Sequence, residues 1–156
     1  MKFFESNCLN TEIKITLYEL WNKEYPIQVR FNYFIEFENY INKLTSPKHI
    51  IISNNNGEII GWAVEFAEDN ELWLNLIIKQ NFQKKGYGSI LLNKLKENKA
   101  SISAWVVEHN NYKLINGKTY PSPKEFYLKN NFTLLYGIKL NDETISAVKM
   151  IWHKNP

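Results

Sequence analysis

The sequence predicts an α/β domain of the α+β kind, built on one sheet of mixed direction. Three observations carry this. Strand-like and helix-like runs are interleaved, in the order β-α-α-β-β-β-α-β-α-β-β. A hairpin stands near each end of the strand order, at 48–67 and 133–153, and hairpins make antiparallel pairs. The fourth strand, "ELWLNLIIK" at 71–79, is apolar almost throughout, as a central strand covered on both faces must be. A doubly wound parallel sheet does not fit this order.

Each element has its own justification. "TEIKITLYELW" (11–21) alternates at its start, with Ile13, Ile15 and Leu17 on one face, and predicts a first strand running into a helix. "IQVRFNYFIEFENYINKL" (27–44) repeats apolar residues at helical spacing, Phe34, Phe37, Ile41 and Leu44, between Pro26 and Pro47, and predicts one or two helices. "KHIIISNNNGEIIGWAVEFA" (48–67) is two β-branched runs around an Asn-Asn-Asn-Gly turn, where glycine suits a positive φ. "GYGSILLNKLKENK" (86–99) predicts a helix with Ile90, Leu91 and Leu95 inward and Lys94, Lys96 and Glu97 outward. "SISAWVVE" (101–108) is a fifth strand, followed by a long polar stretch to Ser122. Ser122 then reads as the N-cap and Pro123 as the first turn of a short helix, "PKEFYLKNN". "FTLLYGIKL" and "ETISAVKMIWH" close the chain as a strand pair around Asn141 and Asp142.

The 156 residues suit one domain, residues 1–156, with a core of its own. The hydrophobic share of 44% and aromatic share of 15% exclude a disordered chain. A net charge of +3 admits an anionic ligand, but the lysines are scattered rather than blocked, which argues against a nucleic-acid partner. Cys8 is the only cysteine, so the chain has no internal disulfide and no cysteine metal site. The opening "MKFFESNCLN" is broken by Glu5 and Asn7, unlike a signal peptide, and no run reaches the length of a membrane span. The expectation is a cytoplasmic protein with no membrane partner and no metal.

The informative stretch is "QNFQKKGYGS" (80–89), between the apolar fourth strand and an amphipathic helix. A helix start leaves backbone N–H groups unpaired and carries partial positive charge. Gly86 and Gly88 allow close approach to the backbone, and Lys84 and Lys85 add charge. Together these predict a cradle for a phosphate or pyrophosphate. An ordinary strand-to-helix turn would also contain such residues. The Walker pattern is absent, and Leu91 stands where the dinucleotide fingerprint needs glycine or alanine.

The run "LIIKQNFQKKGYGSILLNKL" resembles the central motif of the N-acetyltransferase superfamily called GNAT, Gln/Arg-x-x-Gly-x-Gly/Ala, here Gln83 to Gly88. "FYLKNNF" (126–132) is similar to the late motif Leu/Phe-Tyr-x-x-x-Gly-Phe, with Asn131 in place of glycine. Asparagine tolerates the left-handed conformation. Pro123 and Tyr120 depart from the family's usual alanine and asparagine.

The resemblance implies a mostly antiparallel sheet of about seven strands with helices on both faces, and an acyltransferase using acetyl-CoA as co-substrate. It implies that Gln83, Lys84, Lys85, Gly86, Tyr87, Gly88 and Ser89 hold the pyrophosphate. Leu76, Ile77 and Ile78 would offer the strand edge for the pantetheine, with an N–H near Ile77 or Ile78 facing the thioester oxygen. Tyr127 would be the general acid, since a phenol stays protonated at neutral pH. For the base, Leu72 stands where some members carry glutamate. Glu108 and His109 at the end of the fifth strand come first, ahead of Glu65 and Glu71, and a water relay is an alternative. Trp21, Tyr25, Phe31 and Tyr33 are candidate acceptor walls, and Tyr112 and Tyr120 a candidate lid. The expected acceptor is a primary amine of a small or amino-acid-like molecule, on a monomer or homodimer. A protein acetyltransferase and a non-catalytic acyl-CoA-binding module remain open alternatives at this point.

Overall fold

The computed structural model describes residues 1–155. The elements are β1 (Lys2–Ser6), α1 (Thr11–Glu24), α2 (Phe34–Asn42), β2 (Thr45–Ser53), β3 (Ile59–Glu68), β4 (Glu71–Ile78), α3 (Tyr87–Lys96), β5 (Ser101–Val106), α4 (Lys124–Lys129), β6 (Thr133–Asn141) and β7 (Ser146–His153). Short 3-10 turns lie at Ile27–Val29 and Gln80–Phe82. The sheet has seven strands in the order β1-β2-β3-β4-β5-β7-β6. Every neighbouring pair is antiparallel except β4 with β5.

The start of the chain differs from the sequence expectation. Residues 11–24 are all helix, and the first strand is Lys2–Ser6. Asn10 caps α1, its side chain accepting the Ile13 N–H at 2.9 Å. Leu17, Leu20, Trp21 and Glu24 are the buried positions, a helical spacing, while Ile15 is exposed. The alternation of Ile13, Ile15 and Leu17 covered too few residues to outweigh that period. β1 carries no alternation to read: Phe3 and Phe4 are both exposed, and the strand exists because β2 offers it an edge.

Both faces of the sheet are covered, which is why its central strands have no polar face. In β2, Ile50 and Ile52 pack with Leu91, Leu92 and Leu95 of α3, while Ile51 between them packs with Leu17, Trp21 and Phe37 of α1 and α2. In β4, Ile78 joins the first core and Ile77 the second. On α3 the inward set is Leu91, Leu92 and Leu95; Ile90, expected inward, is 41% exposed. At α4 the helix begins one residue later than expected, with Pro123 at the cap. Ser122 Oγ accepts the Lys124 N–H at 3.2 Å and donates to the Val107 carbonyl at 2.5 Å.

Two turns match their sequence signals. Asn54 Oδ1 accepts from Asn56 and Glu58 at 3.0 Å each, and Gly57 takes φ 80°. Asn131, the substitute for glycine, sits at φ 68°. The β6–β7 pairing breaks between Leu135 and Lys139, around Gly137 at φ 93°. Among the described residues, no helix is long and apolar enough to cross a membrane.

Candidate active site

The site begins where the sheet fails to close. β4 and β5 share a single registered pair, Trp73 with Ser103, so the two strands part beyond it. The Lys79 N–H donates to the Ile60 carbonyl at 2.8 Å. In an antiparallel ladder alternate residues turn both backbone groups toward the partner. Ile77 and Asn75, opposite Trp62 and Val64, therefore face β3. Leu76 and Ile78 face the gap beside β5. Two side chains confirm that parity: Gln83 Nε2 donates to the Ile78 carbonyl at 2.8 Å, and the Tyr25 hydroxyl to the Leu76 carbonyl at 3.4 Å. The N–H groups of Leu76 and Ile78 are left pointing into the slot. Of the three strand residues the sequence singled out, Ile77 is excluded as a donor because its N–H is turned to β3.

From the end of that slot the chain enters the turn. Glu24, buried at the end of α1, accepts the Gln80 N–H at 3.3 Å and steadies its first residue. Burial raises the pKa of that carboxyl above the ordinary carboxylate value. Lys84 takes φ 60° and Gly86 φ 90°. Among the described residues, no protein acceptor takes an N–H of any residue from Lys84 to Ser89. Six successive donors at a helix start, with the exposed Lys84 and Lys85 beside them, fit a doubly charged phosphate-like group. The two glycines do different work. A Cβ on Gly86 would meet nothing within 4 Å, so that residue is needed for its backbone angle. A Cβ on Gly88 would lie 2.9 Å from the Phe126 ring, so that residue is needed for the contact of α3 with α4.

Phe126 is also a wall of the cavity into which the slot opens, a volume of about 250 Å³. β4 contributes Asn75 and Leu76, and β5 with its following residue contributes Trp105 and Val107. Trp21, Tyr25, Pro26 and Val29 come from α1 and the turn after it. Tyr120, Pro123 and Tyr127 close a third side, and Leu140, Ile145 and Ala147 of the β6–β7 hairpin a fourth. Tyr127 is held by edge-on packing against Phe126 and Phe132, with centroids 5.2 and 5.1 Å away. Burial, with Tyr120 nearby, pushes its hydroxyl well above the usual phenol range. Tyr120 and Tyr25 are raised by burial in the same way. All three remain protonated hydrogen-bond donors at any ordinary pH.

The remaining sequence candidates stand elsewhere. Glu108 is exposed and pairs with Lys124 at 3.8 Å, and His109 packs edge-on against Tyr112, centroids 4.6 Å apart, while its Nδ1 accepts the Asn111 N–H. Neither lines the cavity, because the chain turns outward after Val107. Glu65 is paired with Lys99, and Glu71 with Lys149. Tyr33 is 70% exposed, ahead of α2. Phe31 packs in the core against Trp21 and Phe37. Tyr112 is no flap either: its hydroxyl accepts the Ser146 N–H at 2.9 Å. The loop it belongs to is pinned by a Lys113–Thr119 bridge and by the Ile27 N–H on the Lys113 carbonyl. The walls that sequence reasoning missed, Asn75, Trp105, Val107, Leu140, Ile145 and Ala147, lie on strands or just beside them and carry no motif; only the alternation of Trp105 and Val107 hinted at a shared face.

A seven-stranded, mostly antiparallel sheet that splays beside an amide-lined turn defines an acetyltransferase architecture. A family profile described as an acetyltransferase (GNAT) domain matches residues 46–134, more than half of the chain, and the chain belongs to that family of acyltransferases. No functionally curated protein matches the sequence. Solved structures match its fold over nearly the whole length. An aminoglycoside 6'-N-acetyltransferase complexed with coenzyme A superposes with a TM-score of 0.74 at 16% identity, over 100% of this chain and 98% of the other. A spermidine N-acetyltransferase variant from Vibrio cholerae gives 0.66 at 16%, over 98% and 95%. A phosphinothricin acetyltransferase of the GNAT superfamily from Sinorhizobium meliloti, in complex with acetyl-CoA, gives 0.67 at 13%, over 98% and 89%.

Proposed function

We propose that the chain is an N-acetyltransferase that moves the acetyl group of acetyl-CoA to a primary amine of a small or amino-acid-like acceptor, by direct attack in a ternary complex. One observation supports the reading: the cavity lined by Leu76 and Tyr127 shares a wall, Phe126, with the donor-lined turn, whose Gly88 packs against that ring. The amides from Lys84 to Ser89 would hold the pyrophosphate, with Lys84 and Lys85 adding charge. The Leu76 and Ile78 edge would pair with the pantetheine, and one of its two N–H groups would meet the thioester oxygen as negative charge develops.

In the transfer, the amine lone pair attacks the acetyl carbon, the C–N bond forms and the C–S bond breaks. The bonding pair leaves on sulfur, and Tyr127 gives sulfur its proton. The new amide nitrogen sheds a proton through water, which restores the phenol. No carboxylate or imidazole lines the cavity, so we assign deprotonation of the amine to water rather than to Glu108 or His109. The reading takes residues 1–156 as one cytoplasmic domain. Its test is a panel of amines with acetyl-CoA, following release of free thiol. Turnover on an amine is expected; tight CoA binding with no turnover on any amine would sink the reading and leave a binding module.

A further inference from the structure

The cavity is unusual in what its walls lack. Of its fifteen lining residues, six are aromatic and none is Asp, Glu, Lys, Arg or His. We infer that the acceptor is a compact monoamine with an apolar, aromatic body, and that polycations are rejected. The inference rests on the acetyltransfer reading and names the acceptor class within it.

Charge bookkeeping decides the matter. Stripping water from an ammonium is strongly unfavourable unless a carboxylate or a full set of acceptors replaces it. Attraction to an aromatic face is weaker than that loss, enough to assist one charge and not three. Three acidic groups near the site are already engaged. Glu108 is paired with Lys124, and Glu24 binds the Gln80 amide. Asp142 at the tip of the β6–β7 hairpin accepts the N–H groups of Thr144 and Ile145 at 2.8 Å each. Asn75 gives the cavity its one side-chain amide: its Nδ2 donates to the Tyr40 hydroxyl at 2.7 Å, which leaves its Oδ1 to accept from an amine. One such oxygen suits one reacting nitrogen. An aromatic ring, by contrast, gains from every wall it touches, and about 250 Å³ accepts a single ring with a short arm rather than a sugar chain or a long polyamine. The pinned loop, held at Ile27 and Ser146, keeps Tyr120 on the cavity wall and leaves a compact cavity rather than an open groove for a peptide.

The test measures kcat/KM with acetyl-CoA for 2-phenylethylamine and benzylamine against putrescine, spermidine, an aminoglycoside and a short peptide with a free N-terminus. The aromatic monoamines are expected to exceed each of the others at least tenfold. Asn75→Asp, which keeps size and can still bond the Tyr40 hydroxyl, is expected to raise the putrescine-to-phenylethylamine ratio at least tenfold, with an unchanged thermal transition. Ile145→Glu, at a partly exposed wall, is expected to move the ratio the same way. A wild-type preference for spermidine, the aminoglycoside or the peptide overturns the acceptor class while leaving acetyl transfer intact. Turnover of no amine, with CoA still bound, overturns both.

Discussion

The proposed donor half and the proposed acceptor half of the site are built from different materials. The donor half, from the β4 edge to the start of α3, is made of backbone: free N–H groups at Leu76 and Ile78 and six more from Lys84 to Ser89. The acceptor half is made of side chains gathered from α1, the loop after β5, and the β6–β7 hairpin. A site made of backbone binds one chemical group whatever the side chains are, provided the turn keeps its angles. A site made of side chains can be retuned one residue at a time. The same fold occurs in neighbours named for aminoglycosides, spermidine and phosphinothricin.

Five substitutions probe the site and the core beneath it, in falling order of effect. Tyr127 stands at the seam of the two halves. Tyr127→Phe keeps the edge-on packing and removes the proton donor, so kcat should fall about a hundredfold with the melting temperature unchanged. An unaltered kcat would take the acid role away from this residue.

Beneath the acceptor half, His49 is fully buried and its Nδ1 accepts the Trp62 indole N–H at 3.2 Å. Burial lowers its pKa from 6.5 to about 4, with Lys14 contributing. The folded state therefore binds that proton less well than the unfolded chain. Stability is full above about pH 6.5 and is lost as pH falls toward about 4. The loss between pH 7.5 and 5 should be about 2 kcal/mol, read by chemical denaturation, and His49→Gln should flatten the dependence.

The two glycines separate the halves most directly. Gly86→Ala forces a side chain to a φ of 90° and should raise the KM for acetyl-CoA about tenfold with the acceptor KM unmoved. Gly88→Ala pushes on Phe126 and so on α4, and should lower kcat instead, by a similar factor. Identical kinetic patterns for the two would break the distinction. Smallest is Tyr25→Phe, which removes a long bond of 3.4 Å to the Leu76 carbonyl; kcat should drop about twofold, with acetyl-CoA binding intact in titration calorimetry.

The same division sets what the sequence disclosed. The turn after β4 was legible because a backbone site demands special residues: a glycine at φ 90° and a strand-to-helix junction leave marks that few other structures leave. The central strand and the hairpins were legible through period and turn chemistry. Trp21 and Tyr25 line the cavity while Phe31, ten residues beyond Trp21, is core, yet all three read alike as apolar aromatics. Ile77 and Ile78 differ only in ladder parity, which the Lys79–Ile60 bond reveals and the sequence does not. Glu108 and His109 sat at the right strand end but on the wrong side of the turn after Val107, a choice made by the Ser122–Val107 bond from fifteen residues away. β1 was hidden because an edge strand without alternation has no signature of its own.

That last point has a counterpart at the other rim. β6 ends the sheet, with Tyr136 84% exposed and Ile138 beside it, a surface that could recruit a second chain into an endless ribbon. The interruption around Gly137 lifts the strand out of line there. A passing molecule finds no straight row of amides to copy, so the kink that looks like an imperfection of pairing acts as a terminator of strand addition.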